Sequence, residues 1–239
     1  MTRGAFASRA TKPELMDDAT QGGEELREAL RHLGALNRIF GASGPLLYGV
    51  GQLWRQLGKP RRLTLLDVGS GSGELNRALL RWAERNRVDL IIVLADITEE
   101  ARAEAERLYR QDSRVSFAKR DLFDLPSGSA DIVTASQFVH HFPTERLPAV
   151  VERLLDIAKS GVVVNDIHRH WLPWTAVWIA TRLISGNRYI RHDGPLSVAK
   201  GFKAGDFRQL RKELDQATIR WRWRPLFRYS VILIKKEGE

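Results

Sequence analysis

The sequence predicts an α/β fold: a doubly wound, mostly parallel seven-stranded sheet with an antiparallel C-terminal hairpin, N-terminal helices and an insertion after the fifth strand. Three observations predict it. Apolar runs at residues 63–68, 89–95, 114–119, 131–136 and 161–166 alternate with helical patterns at 73–86, 98–110 and 144–159. Such alternation builds a parallel sheet covered on both faces. The first run ends in Asp67 and turns at once through Gly69-Ser70-Gly71-Ser72-Gly73 into a helix. Residues 217–224 and 227–235 flank Pro225 and read as a hairpin that gives the sheet an antiparallel edge.

The remaining elements follow in order. Residues 1–22 are small and polar and read as a flexible N-terminus, followed by one domain over 23–239. Within it, residues 23–57 carry two helical patterns broken at Gly41–Pro45, a helical cap. Residues 60–166 form the ligand-binding core, 167–200 the insertion as a lid, and 201–239 a helix near 204–215 plus the hairpin. In the strand at 219–224, Ile219, Trp221 and Trp223 alternate with Arg220, Arg222 and Arg224, one face buried and one solvated.

Composition sets further bounds. A hydrophobic content of 43% supports a packed core, and the absence of cysteine excludes disulfides and thiolate chemistry. No apolar run has the length of a membrane span, and the N-terminus lacks an apolar signal core, so a cytoplasmic protein is expected. A net charge of +9 leaves nucleic acid, anionic membrane and acidic ligands open as partners.

The glycine turn lets a ligand lie against bare backbone and the positive end of a helix. Three nucleotide sites compete for it. The dinucleotide form requires Gly-x-Gly-x-x-Gly, and Glu74 stands at the third position. The phosphate-cradling form requires Gly-Lys-Ser/Thr, and no such string exists. Asp-x-Gly-x-Gly-x-Gly, with an acid inside the turn, suits a ligand with a cationic amino acid end and no phosphate. Here the chain resembles the class I S-adenosylmethionine-dependent methyltransferases, over about residues 60–165. That resemblance implies a Rossmann-like sheet and S-adenosylmethionine as methyl donor, released as S-adenosylhomocysteine.

The implied donor site comprises Asp67, Gly69, Ser70 and Gly71 at the amino acid end. Asp96 ends the second strand, where a carboxylate accepts ribose hydroxyls, with Ile97 beside it; helix capping is the competing use of Asp96. By resemblance Asp121 reaches the adenine amine, Leu122 lies on the ring, and Asp131 is the family's acid opening the fourth strand. Ser136 and Gln137 complete the set after that strand.

Methyl transfer is an in-line displacement that needs a nucleophile held close, and often a base to uncover it. The loop after the fourth strand, Ser136-Gln-Phe-Val-His140-His141-Phe-Pro143, lacks the Asn/Asp-Pro-Pro-aromatic string of amine methylation on bases. Pyrimidine C5 methylation needs a cysteine, which the chain lacks. Histidine suits a phenol or enol proton. His140 lies nine residues after Asp131, similar to the base position of small-molecule O-methyltransferases, although His141-Phe142 replaces their Asp-Trp. His140 is therefore the leading base; packing of the loop is its competing use. His141, His192 and Asp193 are further catalytic candidates, and one helical turn directs only one of the two adjacent histidines at the donor. Five of the six histidines lie between 140 and 192, but no His-Glu-x-x-His string accompanies them, so no metal is expected.

The pattern from Asn165-Asp166 through Arg191-His192-Asp193-Gly-Pro looks like standalone bacterial methyltransferases related to ubiquinone and menaquinone biosynthesis, often tied to natural products. Trp171, Trp174 and Trp178 share one face of a helix that is apolar all round, placed where this family builds its acceptor lid. With Asn37, Phe40, His168, Tyr189 and Arg191 they are expected to line a large apolar acceptor pocket. The predicted activity is methylation of a hydrophobic small molecule of secondary or quinone metabolism, oxygen favoured over carbon or sulfur. Peripheral membrane contact fits a basic surface with amphipathic lids. Nucleic acid is disfavoured as a partner, and the oligomeric state is not specified. An RNA methyltransferase and a non-catalytic donor-binding protein are the rival readings.

Overall fold

The computed structural model describes residues 6–18 and 22–236. Seven strands form one sheet: β1 Arg62–Val68, β2 Asp89–Asp96, β3 Val115–Lys119, β4 Ala130–Ser136, β5 Ala158–Ile167, β6 Ala217–Arg224 and β7 Arg228–Lys235. Their order is β3-β2-β1-β4-β5-β7-β6. The first five run parallel, and β7 is antiparallel to both β5 and β6. The strand order reverses between β1 and β4, so the loops after these two strands diverge and open a crevice.

The helices are α1 Glu24–Ile39, α2 Ser43–Gln56, α3 Asn76–Asn86, α4 Glu99–Leu108, α5 Leu147–Ile157, α6 Trp171–Ile184, α7 Arg188–Lys200 and α8 Ala204–Glu213. Leu46, Val50 and Leu53 of α2 join Leu79, Leu80 and Ala83 of α3 against one face of the sheet. Val150, Val151 and Leu154 of α5 join Phe207 and Leu210 of α8 on the other. Strand β5 is buried over its last seven residues, as expected of a central strand that reads as one apolar run. Asp131 sits at the opening of β4, where its carboxylate accepts from the Thr64 amide and hydroxyl, both at 2.8 Å.

Four local expectations are corrected. Helix α3 starts at Asn76 instead of 73, because the turn runs on through Gly73 at φ +72°. Residues 6–18, expected to be flexible, pack on the body of the fold: Phe6 is buried and Arg9 donates to the carbonyls of His140, Phe142 and Lys200. Residues 1–5 and 19–21 lie outside the described residues. Tyr189 to Ser197, assigned no helix within the lid insertion, is the body of α7, with Pro195 inside it. The Asn187 side chain caps that helix by accepting from Tyr189 N, and burial of Tyr189, Ile190 and Val198 outweighs the hydrogen bond that Pro195 removes. Trp223, expected on the buried face of β6, is 50% exposed because β6 is the sheet's edge.

Candidate active site

The crevice is a cleft of about 420 Å³ over the carboxyl ends of β1, β2 and β4. Its floor is the turn after β1. Gly69 has φ +63°, and a Cβ there would stand 2.1 Å from the Phe138 ring. Only glycine satisfies both limits, and its bareness leaves the backbone open to a ligand. Asp67 is buried and in register with Thr134 of β4. Its oxygens accept from Thr134 Oγ1 and Asn76 Nδ2, each at 2.6 Å. Both partners are neutral, and burial pushes the carboxyl up to about 6. A buried carboxylate held by neutral donors and facing a cleft suits a cationic ligand group.

Asp96 accepts from Gly71 N at 2.9 Å and, with its other oxygen, from the amide and hydroxyl of Thr98, each at 3.1 Å. Thr98, not Asp96, caps α4, by accepting from Ala101 N. Asp96, Ile97, Asp121 and Leu122 all line the cleft, as do Ser70, Ser136 and Gln137. Asp121 spends one oxygen on Phe123 N, and among the described residues no donor meets the other. Gln137 stands at φ +53°, a left-handed conformation rare for a side chain of its size, and donates to Asn37 Oδ1 at 2.6 Å. That bond ties the loop after β4 to α1.

His140 and His141 occupy a short turn at Val139–His141. Both line the cleft, contrary to the expectation that one would point away, because a 3₁₀ turn and two carboxylates bring the rings into a stack 4.4 Å apart. His140 is buried. Its Nδ1 meets Asp166 Oδ1 at 2.7 Å and its backbone amide donates to Asp166 Oδ2. Its Nε2 faces Glu14 Oε1 at 3.5 Å without forming a hydrogen bond. Burial alone would lower the imidazole; Asp166 and Glu14 overcome that and raise it to about 9. His140 is thus an imidazolium at neutral pH. His141 meets Asp17 Oδ1 at 2.5 Å, and Asp17 is pulled well below the usual carboxylate range against the cost of burial.

Glu14, Met16 and Asp17 belong to the N-terminal segment, which crosses the cleft as a strap. Asp193 of α7 anchors it by accepting from the amides of Leu15 and Met16 at 2.8 and 3.0 Å. Lys200 Nζ lies 3.6 Å from Glu14 Oε1 and 3.2 Å from Asp17 Oδ2. Ligand atoms of Glu14, His140 and His141 fall within 4.8 Å of one another, a spacing a metal ion could use. The Lys200 ammonium on the same carboxylate oxygen opposes a second cation there.

Of the expected acceptor residues, only Asn37 lines the cleft. Tyr189 is buried under α1, and Phe40 packs against the same cluster. Arg191 turns back to the Ser185 carbonyl at 2.7 Å. His168 accepts from Trp223 Nε1, and His192, half exposed and itself outside the cleft, pairs with Asp193. Trp174 packs edge-on against Phe6, whereas Trp171 and Trp178 face solvent. The cause is α7. Its Ile190, Asp193, Gly194 and Ser197 take the inner position, and Gly194 lets Val177 and Thr181 of α6 lean on its outer side. Sequence reasoning missed Glu14, Met16, Asp17, Leu30, Phe138 and Ile190. Three acids at 14, 17 and 18, in an N-terminal stretch whose other charges are Arg3, Arg9 and Lys12, were the one available signal.

Residues 65–161 match the family model described as a methyltransferase domain. No curated protein matches the chain. Among solved structures, the plantazolicin methyltransferase BpumL with a monoazolic desmethylPZN analog and SAH has a TM-score of 0.62 at 14% identity, covering 89% of this chain and 96% of its own. A SAM-dependent methyltransferase from Aquifex aeolicus has a TM-score of 0.59 at 14% identity, covering 88% and 98%. Magnesium protoporphyrin IX methyltransferase from Synechocystis with bound SAH has a TM-score of 0.50 at 16% identity, covering 97% and 91%. These likenesses show the fold. The family match falls on the strands and turns that build the cleft, so residues 65–161 are those of a methyltransferase domain.

Proposed function

We propose that this methyltransferase acts on a hydrophobic small molecule, on a phenol or enol oxygen in preference to carbon or sulfur. The apolar wall of the cleft carries the reading: Leu26, Leu30, Leu33 and Leu36 of α1 face a space also bounded by Phe142 and Ile190. Burial of an apolar acceptor against that wall is favourable, whereas a polar one gains little there. Solved structures of similar fold are named as a magnesium protoporphyrin IX methyltransferase, a plantazolicin methyltransferase and a domain of the citrinin polyketide synthase, in keeping with this class.

The donor's amino acid end is assigned to Asp67 and the Gly69–Gly71 backbone, its ribose to Asp96, and its adenine to Asp121, Ile97 and Leu122, with Ser136 and Gln137 closing that side. When bound, S-adenosylmethionine supplies an electrophilic methyl carbon on a sulfonium centre. The chain's own residues orient the acceptor and handle its proton. Asp166 holds the proton on His140 Nδ1, so Nε2 is the basic atom. Glu14 facing Nε2 keeps that atom protonated; withdrawal of the strap as an acceptor enters takes the carboxylate away and frees Nε2 as a base. The Arg220, Arg222 and Arg224 row lies outside the cleft, so it gives no support to an RNA acceptor at this site.

Transfer of label from methyl-labelled donor to phenols, quinols and cyclic peptides, with total RNA as a parallel acceptor, tests the reading. Label extracted into organic solvent supports it. Label confined to RNA overturns it.

Donor binding has its own predicted profile. Calorimetry should show micromolar S-adenosylhomocysteine and no NAD. Asp67 has a raised folded value of about 6, so it binds its proton more tightly in the empty fold than in the unfolded chain and is ionised above that pH. Its contribution to folding is therefore complete below the ordinary value of 3.8 and declines as pH rises through 6. The donor's ammonium needs the ionised form, so affinity should be constant above about pH 7 and fall up to about tenfold per unit below 6. An affinity flat from pH 5 to 8 would remove Asp67 from the ammonium contact.

A further inference from the structure

The strap, the titratable cluster around His140 and the cleft belong to the site already described; the outer face of α6 does not. Trp171, Leu172, Trp178, Ile179 and Leu183 are 55%, 44%, 40%, 47% and 81% exposed. The face continues onto the β6–β7 turn through stacked rings. His170 lies 5.7 Å from Trp171 and 5.4 Å from Phe227, and Phe227 lies 6.0 Å from Trp223. Trp223 and Leu226 are themselves 50% and 52% exposed. An apolar surface of this extent on one side of a protein marks a place of contact.

Charge says what kind of contact. No acid occurs from residue 167 to 192 or from 216 to 236, the two segments that build this surface. Arg182 lies 3.9 Å over the Trp178 ring, whereas Arg222 and Arg224 point to the opposite face of the edge strand from Trp223, Arg224 lying over Tyr48 of α2. Aliphatic and indole side chains beside the Arg182 guanidinium, on segments that carry no acid, match an anionic lipid surface, where apolar groups enter the acyl boundary and cations meet headgroups. A second copy of the chain docked through the same face would bring two basic, acid-free segments together. RNA would leave Leu172, Ile179 and Leu183 without a stacking partner, since bases stack on rings and guanidinium planes.

We propose that the α6 face docks this methyltransferase on anionic membrane surface, with Trp171, Trp178 and Leu183 as the inserted side chains and Arg182 as the headgroup contact. No helix among the described residues is long and apolar enough to cross a membrane, so the contact is interfacial. Docking also brings the neighbouring cleft, bounded by α7 on the inner side of α6, to where an apolar acceptor dissolves. The docking does not depend on the acceptor reading, because vesicle binding and methyl transfer are separate measurements.

Flotation with vesicles of phosphatidylcholine alone and of phosphatidylcholine with one-third phosphatidylglycerol tests the proposal. The full chain should float with the anionic vesicles and at least about tenfold less with the neutral ones, and 0.5 M salt should weaken it. Leu183→Glu with Trp178→Glu, both at exposed positions, should reduce flotation at least about tenfold while S-adenosylhomocysteine affinity is kept. Arg182→Glu should also weaken flotation and its salt response. Absence of flotation, or flotation that both variants retain, overturns the proposal. So does a dimer in sedimentation, or binding of single-stranded RNA in the absence of vesicle binding, if the Leu183→Glu/Trp178→Glu change abolishes it.

Discussion

Gly69→Ala should abolish measurable donor binding. The backbone at this position is at φ +63°, where an L side chain costs roughly 1–2 kcal/mol. The added Cβ would stand 2.1 Å from Phe138, so the ring must move, adding roughly 1–3 kcal/mol. Phe138 lines the cleft and precedes Val139–His141 directly, so its displacement moves both the donor floor and the histidine turn. Calorimetry should show S-adenosylhomocysteine affinity reduced at least about a hundredfold, equivalent to roughly 2.8 kcal/mol. Gly128→Ala is the matched control. Gly128 has nearly the same φ, +61°, but nothing within 4 Å of a built Cβ. That variant should lose some stability and keep full affinity. Equal losses in the two would mean that backbone strain alone matters and that the Phe138 contact is irrelevant to binding.

His140→Ala should destabilise the fold and cut turnover, and the two effects are separable. Removing the imidazolium leaves Asp166, fully buried, and Glu14 without their shared cation. Breaking a buried pair by deleting one partner costs about 3–5 kcal/mol, so a clear fall in Tm is expected near neutral pH. The pH dependence has a definite sign. His140 is raised in the fold, so its contribution is complete below about 6.5 and is lost as pH rises through about 9. Asp166 is lowered, so its share is complete above its ordinary value of 3.8 and is lost as pH falls below that. The Tm gap between wild type and variant should therefore be widest between about pH 5 and 6.5 and narrow toward 9. As a base, His140 contributes about 10²–10⁴-fold to turnover, with donor affinity kept. Wild-type kcat should then rise with pH and lose that slope in the variant. A turnover loss under tenfold with the Tm gap intact would leave His140 as the clasp of the strap and not the base.

Much of the core was legible because its signals are local. Each parallel strand is an apolar run long enough to cross the sheet, and the acids at Asp67, Asp96 and Asp121 stand where the runs end. The glycine turn is written in adjacent residues, so its position followed from the chain alone.

The arrangement around the histidines was not legible. The partners of His140 are Asp166, 26 positions away, and Glu14, which sits on a segment with no periodic signal. Long-range ion pairs leave no trace in local pattern, so an N-terminus that looks mobile can be a buried strap. The tryptophan helix misled for a related reason. An apolar face on a helix has the same pattern whether it meets a core, an acceptor or a lipid surface. Sequence alone determined the fold of the core and its likeness to a methyltransferase domain. Tertiary packing decided which apolar helix lines the cleft, because Gly194 lets α7 take the inner place and leaves α6 outside. It also decided the charge of His140, which depends on two carboxylates that only the folded chain brings to one ring.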